Sequence, residues 1–150
     1  MPEEVRSLSS GWGRALVFAY GVFAVAATGR SLVQLGTDAG KAPLAYSLSL
    51  VAAVIYLVAT TCLLVGGPRA WKVAVVACSI ELVGVLTVGA LSYEATDLFP
   101  DKTVWSHFGQ GYGFVPLVLP VLGLLWFRKV ERDAAAAERA HADTRTSAAG

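Results

Sequence analysis

Four stretches of the chain are almost continuously apolar, and each approaches the length of a helix that crosses a lipid bilayer. They run over about residues 12–35, 43–66, 71–93 and 112–127. A membrane-crossing helix needs about 20 apolar residues, and no stretch alternates polar and apolar positions as a membrane barrel strand must. Because a bilayer offers no water to the backbone, these stretches should be helical. The pattern predicts an all-α polytopic membrane protein, an antiparallel bundle of four transmembrane helices within residues 12–127.

The two ends of the chain differ from this apolar region. Residues 1–11 are predicted to form a short cytoplasmic N-terminus, and residues 128–150 a cytoplasmic tail. The first half of the tail is rich in Ala and charged residues, which favours a continuation of the last helix into the cytosol. Its end is rich in Ser, Thr and Ala, so we expect it to fray or to be disordered.

The composition supports a membrane protein over an ordinary soluble one. Hydrophobic residues make up 55% of the chain, charged residues only 15%, and the net charge is +1. Soluble globular domains are about 25% charged. A nucleic-acid partner is not expected, since binding phosphate backbones requires a clustered basic surface.

Basic residues predict the orientation, because Lys and Arg accumulate on the cytoplasmic side of membrane proteins. They lie before the first helix, between the second and third, and after the fourth: Arg6, Arg14, Arg69, Lys72, Arg128, Lys129 and Arg132. The other two loops hold Lys41 and Lys102 among acidic residues. The prediction is a multi-pass protein of the plasma membrane with both termini cytoplasmic.

The first apolar stretch has a second interpretation as a secretory signal. Arg14 would supply the charged region, and Ala24-Val25-Ala26 would be a small-x-small cleavage site. Apolar character resumes after Arg30, and no soluble domain follows for export, so a retained helix is favoured. Cleavage would leave three helices.

Glu81 is a carboxylate inside an otherwise apolar stretch. It follows Trp71 by about ten residues, or roughly 15 Å of helical rise. That places it near the membrane midplane, where an ionised acid costs about 2.5–3.5 kcal/mol on insertion scales. Such a residue should face other helices, and its helical neighbours Ala77, Cys78, Gly84 and Val85 are mostly small.

The candidate partners of Glu81 form a predicted intramembrane polar cluster. Tyr56 lies at a similar depth in the second helix, shares a face with Thr60, and could donate its hydroxyl. Arg30 and Gln34 share a face of the first helix. They lie nearer the outer boundary than Glu81, so a direct contact between Arg30 and Glu81 would have to bridge a difference in depth. Either the acid holds helices together, or it binds a proton or cation.

The loop before the fourth helix contains three candidate metal ligands, Asp97, Asp101 and His107. Carboxylate and imidazole groups are reasonable ligands for a divalent cation, but the spacing matches no defined site. Simple polar exposure is favoured, and no metal or cofactor is predicted. The "GYG" at 111–113 is not expected to be a potassium filter, which needs a pore helix before it. The loop's aromatic residues are predicted to anchor at the outer interface, including Trp105.

Two prolines, Pro116 and Pro120, stand one turn apart in the predicted fourth helix. Each lacks an N–H, so the pair predicts a bend, with a gating hinge or cation-coordinating turn as the alternative.

Two stretches resemble a family of small actinobacterial four-helix integral membrane proteins. They are "FAVAATGRSLVQL" and "ELVGVLTVGALSYEATDLFPDKTVWSHFGQGYGFVPLVLPVLGLLW", and the likeness extends over about residues 12–127. The resemblance implies the four-helix topology, and it implies no activity and no catalytic residue.

The leading functional hypothesis is a non-enzymatic accessory or scaffold subunit of the plasma membrane. Small residues could serve association into a homo-oligomer or a larger membrane complex, namely Ala19, Gly21, Gly84 and Gly89. The alternative is a small oligomeric transporter or channel-like protein that uses Glu81 for proton or cation binding. An enzyme is not predicted, because the sequence contains no recognisable nucleophile–base pair or metal constellation.

Overall fold

The computed structural model describes residues 11–150, and this part of the chain is helical with no β-strand. It contains four α-helices: α1 (Gly11–Asp38), α2 (Pro43–Val65), α3 (Pro68–Glu94) and α4 (Val115–Ala148). Two 3₁₀ segments, Thr96–Leu98 and Ser106–Tyr112, lie between α3 and α4. The predicted N-terminal segment 1–11 lies outside the described residues except for Gly11.

The helices begin and end where the local sequence permits. Proline occupies the first turn of α2, α3 and α4, where its missing N–H would have no helical partner in any case. Between α2 and α3, Gly66 and Gly67 both have positive φ, a backbone conformation that glycine adopts without steric cost. These glycines allow the chain to reverse direction between two helices within a few residues.

Consecutive helices pack on one another: α1 on α2, α2 on α3, and α3 on α4, whereas α1 and α4 touch only slightly. Short connections join α1 to α2 and α2 to α3, so these neighbours run antiparallel. The core between them is built mainly from small and aromatic side chains, including Tyr20, Ala52, Tyr56, Ala59 and Ala74.

Within residues 11–150, three helices are long and apolar enough to cross a membrane, namely α1, α2 and α3. The segment Ser106–Tyr112 and α4 meet the same criterion only as a pair, and the pair is bent by 99°. Large apolar side chains are exposed along all the helices, among them Phe18, Val25, Leu64, Val76 and Val83. This surface is compatible with a multi-pass membrane protein, since soluble monomers rarely expose large contiguous apolar patches.

The loop between α3 and α4 folds back onto α3. Trp105 is only 3% exposed, so the prediction that it anchors at the outer interface is wrong. The reason is that Gly84 leaves room on α3 for its ring: a Cβ at Gly84 would lie 2.7 Å from Trp105. Phe108 packs in the same way on Gly89. The loop's aromatic side chains therefore fill positions where the sequence indicated helix association.

The loop holds its shape at a conformational cost. His107, Phe108 and Gly109 are consecutive residues with positive φ, and each non-glycine residue in this region costs about 1–2 kcal/mol. A Cβ at Gly109 would collide with the ring of Pro116. The packing of Phe108 on Gly89 and of Pro116 on Gly109 offsets this cost.

The prolines of α4 occupy different positions from those predicted. Helix α4 begins at Val115 rather than near 112, so Pro116 lies in its first turn and frees no helical carbonyl. Pro120 lies inside the helix, and both prolines are buried. The sharp bend lies before the helix, where Gly113 and Phe114 both have positive φ.

The tail also differs from the prediction. Helix α4 continues to Ala148, whereas we expected the end of the tail to fray or to be disordered. Ala, Glu and Arg have high intrinsic helix propensity, and they are frequent enough between residues 128 and 140 to carry the helix through the tail. At the root of the tail, Trp71 Nε1 donates a hydrogen bond to Glu131 (3.2 Å).

We predict that Gly84→Leu destabilises the protein by about 1–3 kcal/mol, because the new side chain would overlap the Trp105 ring. The measurement is the thermal unfolding midpoint in detergent. The matched control is Gly29→Leu, a helical glycine with open space around it, and its midpoint should not fall. Equal midpoints for the two variants would contradict the packing of Trp105 on α3.

Candidate functional site

The buried centre of the molecule is the carboxyl group of Glu81. Glu81 lies on α3 and is 0% exposed. The hydroxyl of Tyr20, on α1, donates a hydrogen bond to its Oε2 atom (2.9 Å). This contact joins two helices that are not neighbours in sequence.

Cys78 extends the contact along α3. It lies three residues before Glu81, on the same helix face, and its Sγ is 3.2 Å from the Tyr20 hydroxyl. A tyrosine hydroxyl has one proton. Since that proton points to Glu81, the thiol of Cys78 is the donor to the Tyr20 oxygen, and the three groups form a chain of hydrogen bonds.

Tyr56 approaches the same carboxyl group from α2. Its ring centroid is 6.2 Å from that of Tyr20, and its hydroxyl lies beside Glu81. The hydroxyl accepts a hydrogen bond from Trp105 Nε1 (3.2 Å). The Tyr56 hydroxyl makes no hydrogen bond to the carboxyl group, and Glu81 Oε1 is buried with no partner among the described residues.

Trp105 closes this cluster toward the C-terminal end of α3. Its ring lies against Gly84, one turn beyond Glu81, while its N–H binds Tyr56. The acid is thus enclosed by α1, α2 and α3 and by one loop residue. We call Glu81, Tyr20, Cys78, Tyr56 and Trp105 the buried acid cluster.

Arg30 and Gln34, which were predicted to belong with Glu81, lie elsewhere. Arg30 Nε donates to Gln34 Oε1 (3.3 Å), Nη1 to the Tyr112 hydroxyl (2.7 Å) and Nη2 to the Lys102 carbonyl (2.7 Å). The guanidinium therefore ties α1 to the loop before α4. The offset in depth along α1 explains why it makes these contacts and not one with Glu81.

Thr60 shares a helix face with Tyr56 as predicted, but its hydroxyl donates to the Tyr56 carbonyl (2.7 Å). This local bond within α2 satisfies the hydroxyl without involving the acid. Thr60 also borders α1, since its methyl group is the nearest contact to a Cβ built at Gly21.

Tyr20 is the direct partner of Glu81 that sequence reasoning missed, and Cys78 and Trp105 were also not predicted to belong to its cluster. A signal was present: Tyr20 follows Trp12 by eight residues, or about 12 Å, and Glu81 follows Trp71 by about 15 Å. If both tryptophans mark the same membrane boundary, Tyr20 and Glu81 lie at similar depth. An aromatic residue in an apolar stretch is usually taken as packing, so its hydroxyl was not considered.

The three candidate metal ligands are separated. Asp101 accepts a hydrogen bond from the Tyr46 hydroxyl (2.9 Å) and from the Lys102 amide, and these bonds hold the pKa of Asp101 below its usual value. His107 packs edge-on against Tyr93, with ring centroids 4.5 Å apart, and Asp97 is exposed. The described residues contain no group of three or more His, Cys, Asp or Glu side chains placed to hold a metal ion.

Comparison of this chain with models of protein families, with curated proteins and with solved structures found no match. The resemblance to small actinobacterial membrane proteins thus stays a prediction, and functional inference depends on the geometry of this chain.

We predict that Tyr20→Phe lowers the free energy of unfolding by about 1–3 kcal/mol, because Glu81 Oε2 would lose its donor in a buried site. The measurement is again the thermal unfolding midpoint in detergent. The control is Tyr93→Phe, which removes the same atom from a side chain that is 58% exposed. A Tyr20→Phe midpoint equal to that of the control would show that the hydrogen bond contributes no stability.

Proposed function

We propose that this chain is a multi-pass protein of the plasma membrane with four membrane-crossing segments and both termini in the cytoplasm. In this proposal α1, α2 and α3 each cross once, and the first part of α4 crosses a fourth time. The side with the α2–α3 turn and the C-terminal tail is cytoplasmic, supported by Arg69, Lys72, Arg128, Lys129 and Arg132. The loop between α3 and α4 then lies on the outer side.

We further propose that the protein acts as a non-enzymatic accessory or scaffold subunit. The observation that carries this is the enclosure of Glu81: the acid is fully buried and bound by Tyr20 across α1 and α3. A carboxyl group held in this way stabilises one arrangement of helices, as polar side chains do between membrane helices. A rigid helical body with an apolar exterior suits a subunit that packs against other membrane helices.

An apolar groove between α1 and α4 supports the same proposal. The two helices touch only slightly, and the groove of about 550 Å³ between them is lined by residues such as Ala15, Ala19, Leu119, Leu122 and Trp126. Small side chains allow close approach of a further helix. Of the residues expected to serve association, Ala19 borders this groove, whereas Gly84 and Gly89 contact the chain's own loop.

A second candidate function is favoured by one specific observation. Glu81 Oε1 is buried and has no hydrogen-bond partner among the described residues, and an unpaired polar atom in such a place is costly. A proton or a small cation on the carboxyl group would relieve that cost. On this basis the alternative is a small oligomeric transporter or channel-like protein that binds a proton or cation at Glu81.

The proposed topology predicts that Arg69→Cys and Asp97→Cys differ in labelling, in a background carrying Cys62→Ala and Cys78→Ala. A maleimide that cannot cross membranes should label residue 97 on intact cells. It should label residue 69 only after permeabilisation. Labelling of both positions on intact cells would contradict the four-span arrangement.

The two functions are separated by proton flux in proteoliposomes. If the protein is an accessory or scaffold subunit, the wild type and Glu81→Gln should give the same background flux. When a polymer extracts the protein from its native membrane in lipid particles, those particles should then also contain further copies of this chain or a different protein. A flux that Glu81→Gln abolishes would favour the transporter, and a solitary monomer in those particles would contradict the scaffold.

A further inference from the structure

A polar pocket lies beside the loop before α4, apart from the buried acid cluster. Its volume is about 430 Å³, and its lining includes Arg30, Lys102, His107, Gln110 and Tyr112. None of these residues belongs to the cluster around Glu81. The pocket opens where α1 meets the loop, and two of its lining residues, Arg30 and Lys102, are cationic.

Arg30 is positioned in this pocket by neutral groups. Its three hydrogen bonds go to the Gln34 amide, the Tyr112 hydroxyl and the Lys102 carbonyl, and the ring of Tyr112 lies 5.9 Å from its central carbon. A guanidinium has five N–H donors, so two of them are not used in these bonds. Arg30 is thus fixed in orientation while its charge has no direct counter-ion in these contacts.

The other residues of the pocket include one further cation, Lys102, and polar groups that bind the loop itself. Lys102 uses its backbone carbonyl to hold Arg30 and its amide to bind Asp101, which leaves its exposed ammonium group available. Thr103 and Ser106 bind each other and the loop backbone. Asp101 lies nearby and reduces the positive potential, but its two oxygens already accept from Tyr46 and the Lys102 amide.

We propose that this pocket binds a phosphate group. A guanidinium presents a planar pair of donors that matches a phosphate, and a neighbouring ammonium adds a point charge to a multiply charged anion. The pocket volume exceeds that of one phosphate, so it accommodates a phosphorylated headgroup as well as a free ion. The location of the pocket rests on the proposed four-span topology, in which it lies at the outer lipid–water boundary beside the lipid phosphates.

The test measures binding to the full chain purified in an uncharged detergent, at constant ionic strength, by isothermal titration calorimetry. Three probes are compared: inorganic phosphate, short-chain dihexanoyl phosphatidylglycerol, and acetate as a carboxylate. Binding of inorganic phosphate assigns a soluble ligand, and binding of the lipid alone assigns a headgroup. Either result, with acetate much weaker, supports the proposal.

The variants separate a specific site from general charge. Lys102→Ala should weaken phosphate or lipid binding by about tenfold, the effect of losing one charge-assisted hydrogen bond. Its side chain is exposed, so the fold should persist. Lys41→Ala removes the same charge from the other outer connection, outside the pocket, and should leave the affinity unchanged. Binding of neither phosphate probe, equal binding of acetate, or equal weakening by the two lysine variants would overturn the proposal.

Discussion

The hydrogen bond from Tyr20 to Glu81 is the interaction around which this fold is organised. An acid with no solvent contact is expensive to place inside an apolar bundle, and polar groups from three other parts of the chain surround this one. Tyr20 comes from α1, Tyr56 from α2 and Trp105 from the loop. Tyr20 binds the carboxyl group directly, and Trp105 binds Tyr56 beside it, so these contacts connect three helices and a loop.

The loop before α4 is the second fixed part of the structure, and glycine makes it possible. A side chain at position 84 or 89 would occupy the space of Trp105 or Phe108. The two aromatic rings cover Gly84 and Gly89, which the sequence predicted to contact another helix. Arg30 holds the far side of the same loop through Tyr112 and the Lys102 carbonyl. The loop is therefore a packed element of the bundle, which accounts for the cost of its left-handed residues.

Much of the architecture could be predicted from local sequence, because apolar length and helix-breaking residues act locally. The bounds of α2 lie within one residue of those expected, and those of α1 and α3 within about three. The loop could not be predicted, since its conformation depends on where Trp105 meets Gly84, a contact between residues 21 positions apart. The predicted start of α4 was wrong because residues 112–114 continue the loop, where Gly113 and Phe114 have positive φ.

The site was partly predictable. The burial of Glu81 follows from its depth alone, and Tyr56 was found by counting along α2. Arg30 was a candidate partner although the sequence placed it nearer the outer boundary than Glu81, and that difference in depth is large enough that Arg30 binds the loop. Predicting that Tyr20 contacts Glu81 requires comparing their depths, counted from Trp12 and Trp71 respectively. The comparison is useful only when both tryptophans mark the same membrane boundary.

The unbroken length of α4 has a mechanical consequence. The part of α4 from Phe127 to Ala148 is about 30 Å long. Near its beginning, Glu131 accepts a hydrogen bond from Trp71 at the start of α3. Because the helix is long, a tilt of roughly 10° about its base would move Ala148 about 5 Å sideways. A small rearrangement of α3 and α4 would thus produce a larger displacement of any molecule that contacts the end of this helix.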